Sequence, residues 1–137
     1  MNKKIFGLDL LTLSFFAVAI PASLLSLFWI YFLISLDHYG LVQRVLGLSI
    51  ALLIIFHFSS TSLFVFRESS VTQQSETLIH MTGLALTMIG SAWLVWAIHL
   101  GLTTGDWEYY GVLSAIATAA QGSISLLIIR KRSVGLI

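Results

Sequence analysis

Residues 41–66 read LVQRVLGLSIALLIIFHFSSTSLFVF, and this stretch decides the fold. After Arg44 it carries no Asp, Glu, Lys or Arg until Arg67, just beyond its end. A bilayer core of about 30 Å needs roughly 20 helical residues at 1.5 Å each. The run exceeds that length and shows no period-two alternation, so it reads as a membrane helix and not as a barrel strand. Three more runs read the same way: residues 8–36, 78–100 and 109–129. The expected fold is an all-α integral membrane protein with four transmembrane helices. These form two consecutive helical hairpins packed as a compact bundle, and residues 1–137 make a single domain.

Composition agrees. The chain has 137 residues, of which 58% are hydrophobic and 9% charged. Soluble domains run near 45–50% apolar and about 25% charged. The mean hydropathy is +0.97. Most soluble enzyme classes and nucleic-acid partners are thereby excluded, and the lipid bilayer is the first partner. Cysteine is absent, which removes thiolate metal sites and cysteine nucleophiles. Lys3 and Lys4 ahead of an apolar stretch, with Ala17-Val18-Ala19, resemble a cleavable leader. Asp9 interrupts that stretch and the apolar run continues to Leu36, so an uncleaved first helix is expected.

Charge orders the ends. Lys3, Lys4, Arg67, Arg130, Lys131 and Arg132 fall before the first run, between the second and third, and after the fourth; of the basic residues only Arg44 departs. The positive-inside rule then places both termini in the cytoplasm, in a cytoplasmic membrane. Trp29, Trp93, Trp96, Trp107 and all the tyrosines fall toward the opposite side, as a one-sided aromatic belt or an aromatic-lined vestibule. At the two outer corners Asp37-His38-Tyr39-Gly40 parallels Glu108-Tyr109-Tyr110-Gly111, a recurrence compatible with a duplicated hairpin.

Candidate chemistry is sparse. No carboxylate lies deep in a span, which weighs against a carboxylate-driven proton-coupled exporter. The buried glutamate of small multidrug exporters and the phenylalanine-box pattern of fluoride channels are missing. His57, Gln121 and Thr87 each lie about nine residues from the basic end of their spans, roughly 14 Å along the axis, and can share one depth. An intramembrane ionisable residue is a functional-site hypothesis by default. Ser59-Ser60-Thr61-Ser62 follow His57; Ser60 and Thr61 are further candidates to line a polar path. Such hydroxyls also bond back to their own helix.

On the fourth span Gly111, Ala115, Ala119 and Ser123 recur every four residues, beside Ser114, Thr118 and Gly122. Small residues at this spacing let helix backbones approach closely. Gly83, Thr87, Gly90 and Ser91 give the third span a similar face. Pro21 predicts a kink, with Ser23 or Ser26 covering part of the freed backbone. His38, His99, Asp106 and Glu108 are weak outer-side metal candidates. A haem between His57 and His80 needs ligands about 10 Å apart in depth to meet; no cofactor is expected. The leading functional expectation is a homo-oligomeric channel or transporter with its polar path near His57 and Gln121. The alternative is a non-catalytic membrane subunit, or an immunity or defence protein, docked on another membrane protein. A haem- or lipid-binding redox subunit ranks last.

Overall fold

The computed structural model describes residues 9–35, 40–66 and 73–133. They form helices α1 (Leu10–Ser35), α2 (Leu41–Phe66), α3 (Gln73–Thr104) and α4 (Tyr109–Ser133). Each is long and apolar enough to cross a membrane. Helices are the natural outcome, because in hydrocarbon every backbone N–H and C=O must find a partner within the protein.

The ends are set by local chemistry. The Asp9 Oδ1 accepts the Thr12 N–H at 3.2 Å and caps α1. At α2 the Gln43 Oε1 reaches back to the Gly40 N–H at 3.0 Å. Helix α3 runs beyond the expected 78–100 in both directions. It stops where Gly105 takes φ +74, the left-handed conformation that favours glycine after a helix. Gly101, expected in the loop, lies inside α3 and is buried under the Trp107 indole. A methyl group there would collide with the ring. Gly101→Ala should displace Trp107 at a cost of about 1 kcal/mol. A red shift in the Trp107 fluorescence, isolated by difference against Trp107→Phe, checks this.

The α3–α4 pair packs most extensively, then α1–α2, α1–α4 and α2–α3. Each helix therefore has two main neighbours, and α2 faces α4 across the bundle. The buried residues of α1 are Thr12, Phe15, Ala19, Ala22, Ser26 and Leu33. Those of α2 include Ala51, Ile54, His57, Thr61 and Phe64. Steps of three and four alternate on α1 from Thr12 to Ser26, and α2 advances by threes and fours from Ala51 to Phe64, the seam spacing of coiled-coil-like packing. The outward faces are also apolar, as lipid contact requires.

Glycines set the closest approaches. On α3, Gly90 faces the backbone of Ala115 and Ala119, and Gly83 faces the Gly122 carbonyl and Ser125. A Cβ at Gly122 would lie 2.6 Å from the Thr87 Oγ1 and 2.7 Å from the Thr87 N. Gly83, Thr87, Gly90, Ala115, Ala119 and Gly122 thus form one interface, and Thr87 and Ser123 hydroxyls meet at 3.4 Å. Ser91 departs from the expectation and is exposed. Gly111 sits near Glu108 and Trp93, in the first turn of α4, whereas Gly40 precedes α2. The recurring corner motif therefore does not occupy equivalent positions.

Pro21 faces outward and α1 is continuous through it. The carbonyl it frees is that of Ala17, four residues earlier. Ser26 instead donates to the Ala22 carbonyl at 2.8 Å, so the expected compensation by Ser26 is not made.

Candidate functional site

The centre of the bundle is polar. The described buried residues include Asp9, Thr12, Ser26, His57, Thr61, Thr118, Gln121 and Ser125. His57, Thr61, Gln121 and Ser125 are fully buried.

His57 and Gln121 meet, as their common depth suggests. The Gln121 Nε2 donates to the His57 Nδ1 at 2.9 Å and to the Ile54 carbonyl at 3.2 Å. On the other side of the ring His57 Nε2 and Ser125 Oγ are 2.8 Å apart. Ser125 in turn donates to the Gly122 carbonyl at 2.7 Å. These bonds assign the tautomer: an Nδ1 that accepts from an amide N–H leaves the proton on Nε2, which donates to Ser125. The amide orientation follows from the Ile54 carbonyl, which can only accept. The chain of bonds therefore has one direction, from Gln121 through His57 and Ser125 to Gly122.

Apolar layers bracket this network. Phe15, Phe64, Ile79 and Ile128 pack together on one side. Ala22, Ile54 and Leu86 pack on the other. The Phe15 ring meets the His57 ring edge-on, with centroids 6.0 Å apart.

Not every hydrogen-bonding group is satisfied. The Asp9 Oδ2, Ser23 Oγ, Thr61 Oγ1 and Gln121 Oε1 are buried without a hydrogen-bond partner. A buried unpaired polar group costs about 1–3 kcal/mol.

The other candidates are distributed differently. Thr87 donates to the Gly83 carbonyl at 2.8 Å and belongs to the α3–α4 interface, at the side of the His57 network. Ser59 and Ser62 bond back to the Ile55 and Phe58 carbonyls. Four consecutive residues at 100° each point all round a helix. Only Thr61 of this run is fully inside, one turn beyond His57, while Ser60 is half-buried. The sequence pattern does not single out Ser125, which the structure adds to the network. Its signal was its place four residues after Gln121, on the same helix face.

Thr118, expected as a packing residue, is buried and bonds to the Ser114 carbonyl at 2.7 Å. Among the described residues no three His, Asp, Glu or Cys side chains cluster as a metal site. His99, Asp106 and Glu108 are exposed, and His38 lies outside the described residues. Both ring nitrogens of His57 are engaged by protein groups and His80 is exposed, an arrangement that does not fit paired haem ligands. Trp96, Trp107, Tyr31, Tyr109 and Tyr110 are exposed, which fits an interfacial belt better than an enclosed vestibule.

No protein-family model matches this chain, and no curated protein and no solved structure matches it significantly.

Proposed function

We propose that this protein is a small channel or transporter whose polar path runs through the bundle past His57 and Gln121. The observation that carries this reading is the series of buried polar residues along the bundle axis. Axial register follows from the contacts. Leu33 lies against Gly47, Ala22 packs with Ile54, and Phe15 meets His57 and Phe58. The bonds of Gln121 and Ser125 register α4 against α2. From the aromatic end the order is Ser26, then Ser23 and Thr118, Gln121, His57, Ser125, Thr61 with Thr12, and Asp9. Hydrocarbon penalises polar side chains, and those that persist inside spans commonly mark pathways. The apolar layers on both sides of His57 would serve as gates.

In this reading the helices form two in–out–in hairpins, and the basic end with both termini faces the cytoplasm. A seam lined by fully buried side chains suits protons, ions or very small solutes. The assembly is a homo-oligomer of such bundles, and a wider path requires several copies.

Proteoliposomes loaded with reporters for protons, potassium and chloride test the proposal. Flux of at least one species should exceed that of empty liposomes, and His57→Leu should lower it at least tenfold. Flux equal to that of lipid alone would leave the second reading, a non-catalytic membrane subunit docked on another protein. The observation favouring that reading is that both His57 ring nitrogens are satisfied internally and flanked by packed apolar side chains. Native mass spectrometry of the protein extracted from its own membrane would then find a single copy bound to a different protein.

A further inference from the structure

The orphaned polar atoms are not scattered. Asp9 Oδ2, Thr61 Oγ1, Gln121 Oε1 and Ser23 Oγ come from the N-terminal cap of α1, from α2, from α4 and from α1 in turn. In the axial order derived above they follow one another from the basic end toward the aromatic end. The His57–Ser125 bond fills the one interval between Thr61 and Gln121. Asp9 and Ser23 are separated along α1 by roughly 21 Å. The stations, counting His57–Ser125 as one, therefore average about one helical turn apart, ~5 Å along the axis, with Gln121 bonded directly to His57. One water making two hydrogen bonds of about 2.8 Å spans such a gap. Buried waters characteristically sit on polar groups that the protein leaves unsatisfied. Asp9 and His57 are the titratable residues among the buried described ones.

We infer that these stations hold a file of water molecules and that the file, interrupted by His57, conducts protons. The inference rests on the transport reading and names its substrate.

The transfer step balances. The Gln121 amide first turns its N–H away from His57 Nδ1 and brings Oε1 round; a hydronium on the aromatic side then gives one proton to Nδ1 and becomes water, and Oε1 accepts from the new Nδ1–H. Nε2 releases its proton to Ser125 Oγ, and the proton already on Ser125 passes to the water beside Thr61. One proton enters and one leaves, and the ring ends neutral in the opposite tautomer. Turning the ring and the amide back resets the relay, so no co-reactant is consumed.

The test is proton influx into proteoliposomes driven by a potassium diffusion potential, read by an internal pH dye, with potassium and chloride fluxes measured in parallel. The wild-type protein should acidify the lumen faster than empty liposomes do, and His57→Leu should return the rate to background. Thr61→Val and Ser23→Ala delete only orphaned hydroxyls, so the fold should be retained; each should slow proton entry severalfold. Ser49→Ala and Ser59→Ala, whose hydroxyls are exposed and bonded to their own helix, should leave it unchanged. Potassium or chloride flux without proton flux overturns the proton wire and leaves the transport reading standing. Absence of all three fluxes overturns both. Proton entry at the wild-type rate in Thr61→Val and Ser23→Ala overturns the water file.

Discussion

Gly122→Val should be the most damaging single substitution in this protein. Its Cβ would fall against the Gly83 carbonyl and within 2.7 Å of the Thr87 N, both backbone atoms of α3. Backbone cannot swing aside as a side chain can, so α3 and α4 must separate. In a bilayer apolar burial adds little, because lipid tails are as apolar as Leu; helix association rests on close packing and interhelical hydrogen bonds. Separation also withdraws Gln121 and Ser125 from His57, since both belong to α4. A loss of about 3 kcal/mol or more is expected, at the upper end of overpacking costs. Gly90→Val should act alike, its Cβ meeting the Ala115 carbonyl and the Ala119 Cα, both at 2.8 Å. Leu113→Ala on the exposed face of α4 should stay within about 0.5 kcal/mol. Unfolding in mixed micelles, followed by helix content and proteolysis, measures all three. Wild-type stability in Gly122→Val would show that the α3–α4 contact does not hold the bundle.

The second large effect separates activity from stability at His57 and Gln121. His57→Leu removes two hydrogen bonds, yet each partner keeps another. Gln121 still donates to Ile54, and Ser125 still donates to Gly122. Interhelical hydrogen bonds in membranes average about 0.6 kcal/mol and reach about 1.7. His57→Leu and Gln121→Leu should therefore each destabilise by only about 1–2 kcal/mol. The pair should be less than additive, because both delete the same bond. Flux, in contrast, should fall at least tenfold in either variant. Two measurements on the same samples, an unfolding curve and a liposome flux, give the comparison. Flux that tracks stability across these variants would assign His57 to packing and remove it from the pathway.

The boundary of α2 at 41–66 was legible in the sequence because its entry and exit carry local signals. Gly40 and Gln43 mark the start, and Arg67 follows the end. The ends of α3 were less legible. Its first turns, around Glu76, are polar and precede the apolar run although they are helical. Its last turn passes through Gly101, which reads as a breaker but is the platform for Trp107. The small-residue columns on the third and fourth spans did foreshadow the α3–α4 interface. Ser91 was the exception, because small size alone does not say which way a residue points.

What the sequence determined by itself is the number of helices and their fitness for a membrane. Hydropathy is local and additive, and a backbone in hydrocarbon has to bond within its own helix. Which face of each helix looks inward was decided only by the tertiary structure. These helices are apolar nearly all round, so no hydrophobic stripe marks an inside against a lipid solvent. The inside is chosen by fit across the chain: glycines where backbones touch, and polar side chains where partners lie at the right depth and rotation. The sequence could place His57 and Gln121 at one depth. Their 2.9 Å hydrogen bond, the participation of Ser125, and the axial order of the unsatisfied atoms depend on how α1, α2 and α4 are turned toward one another.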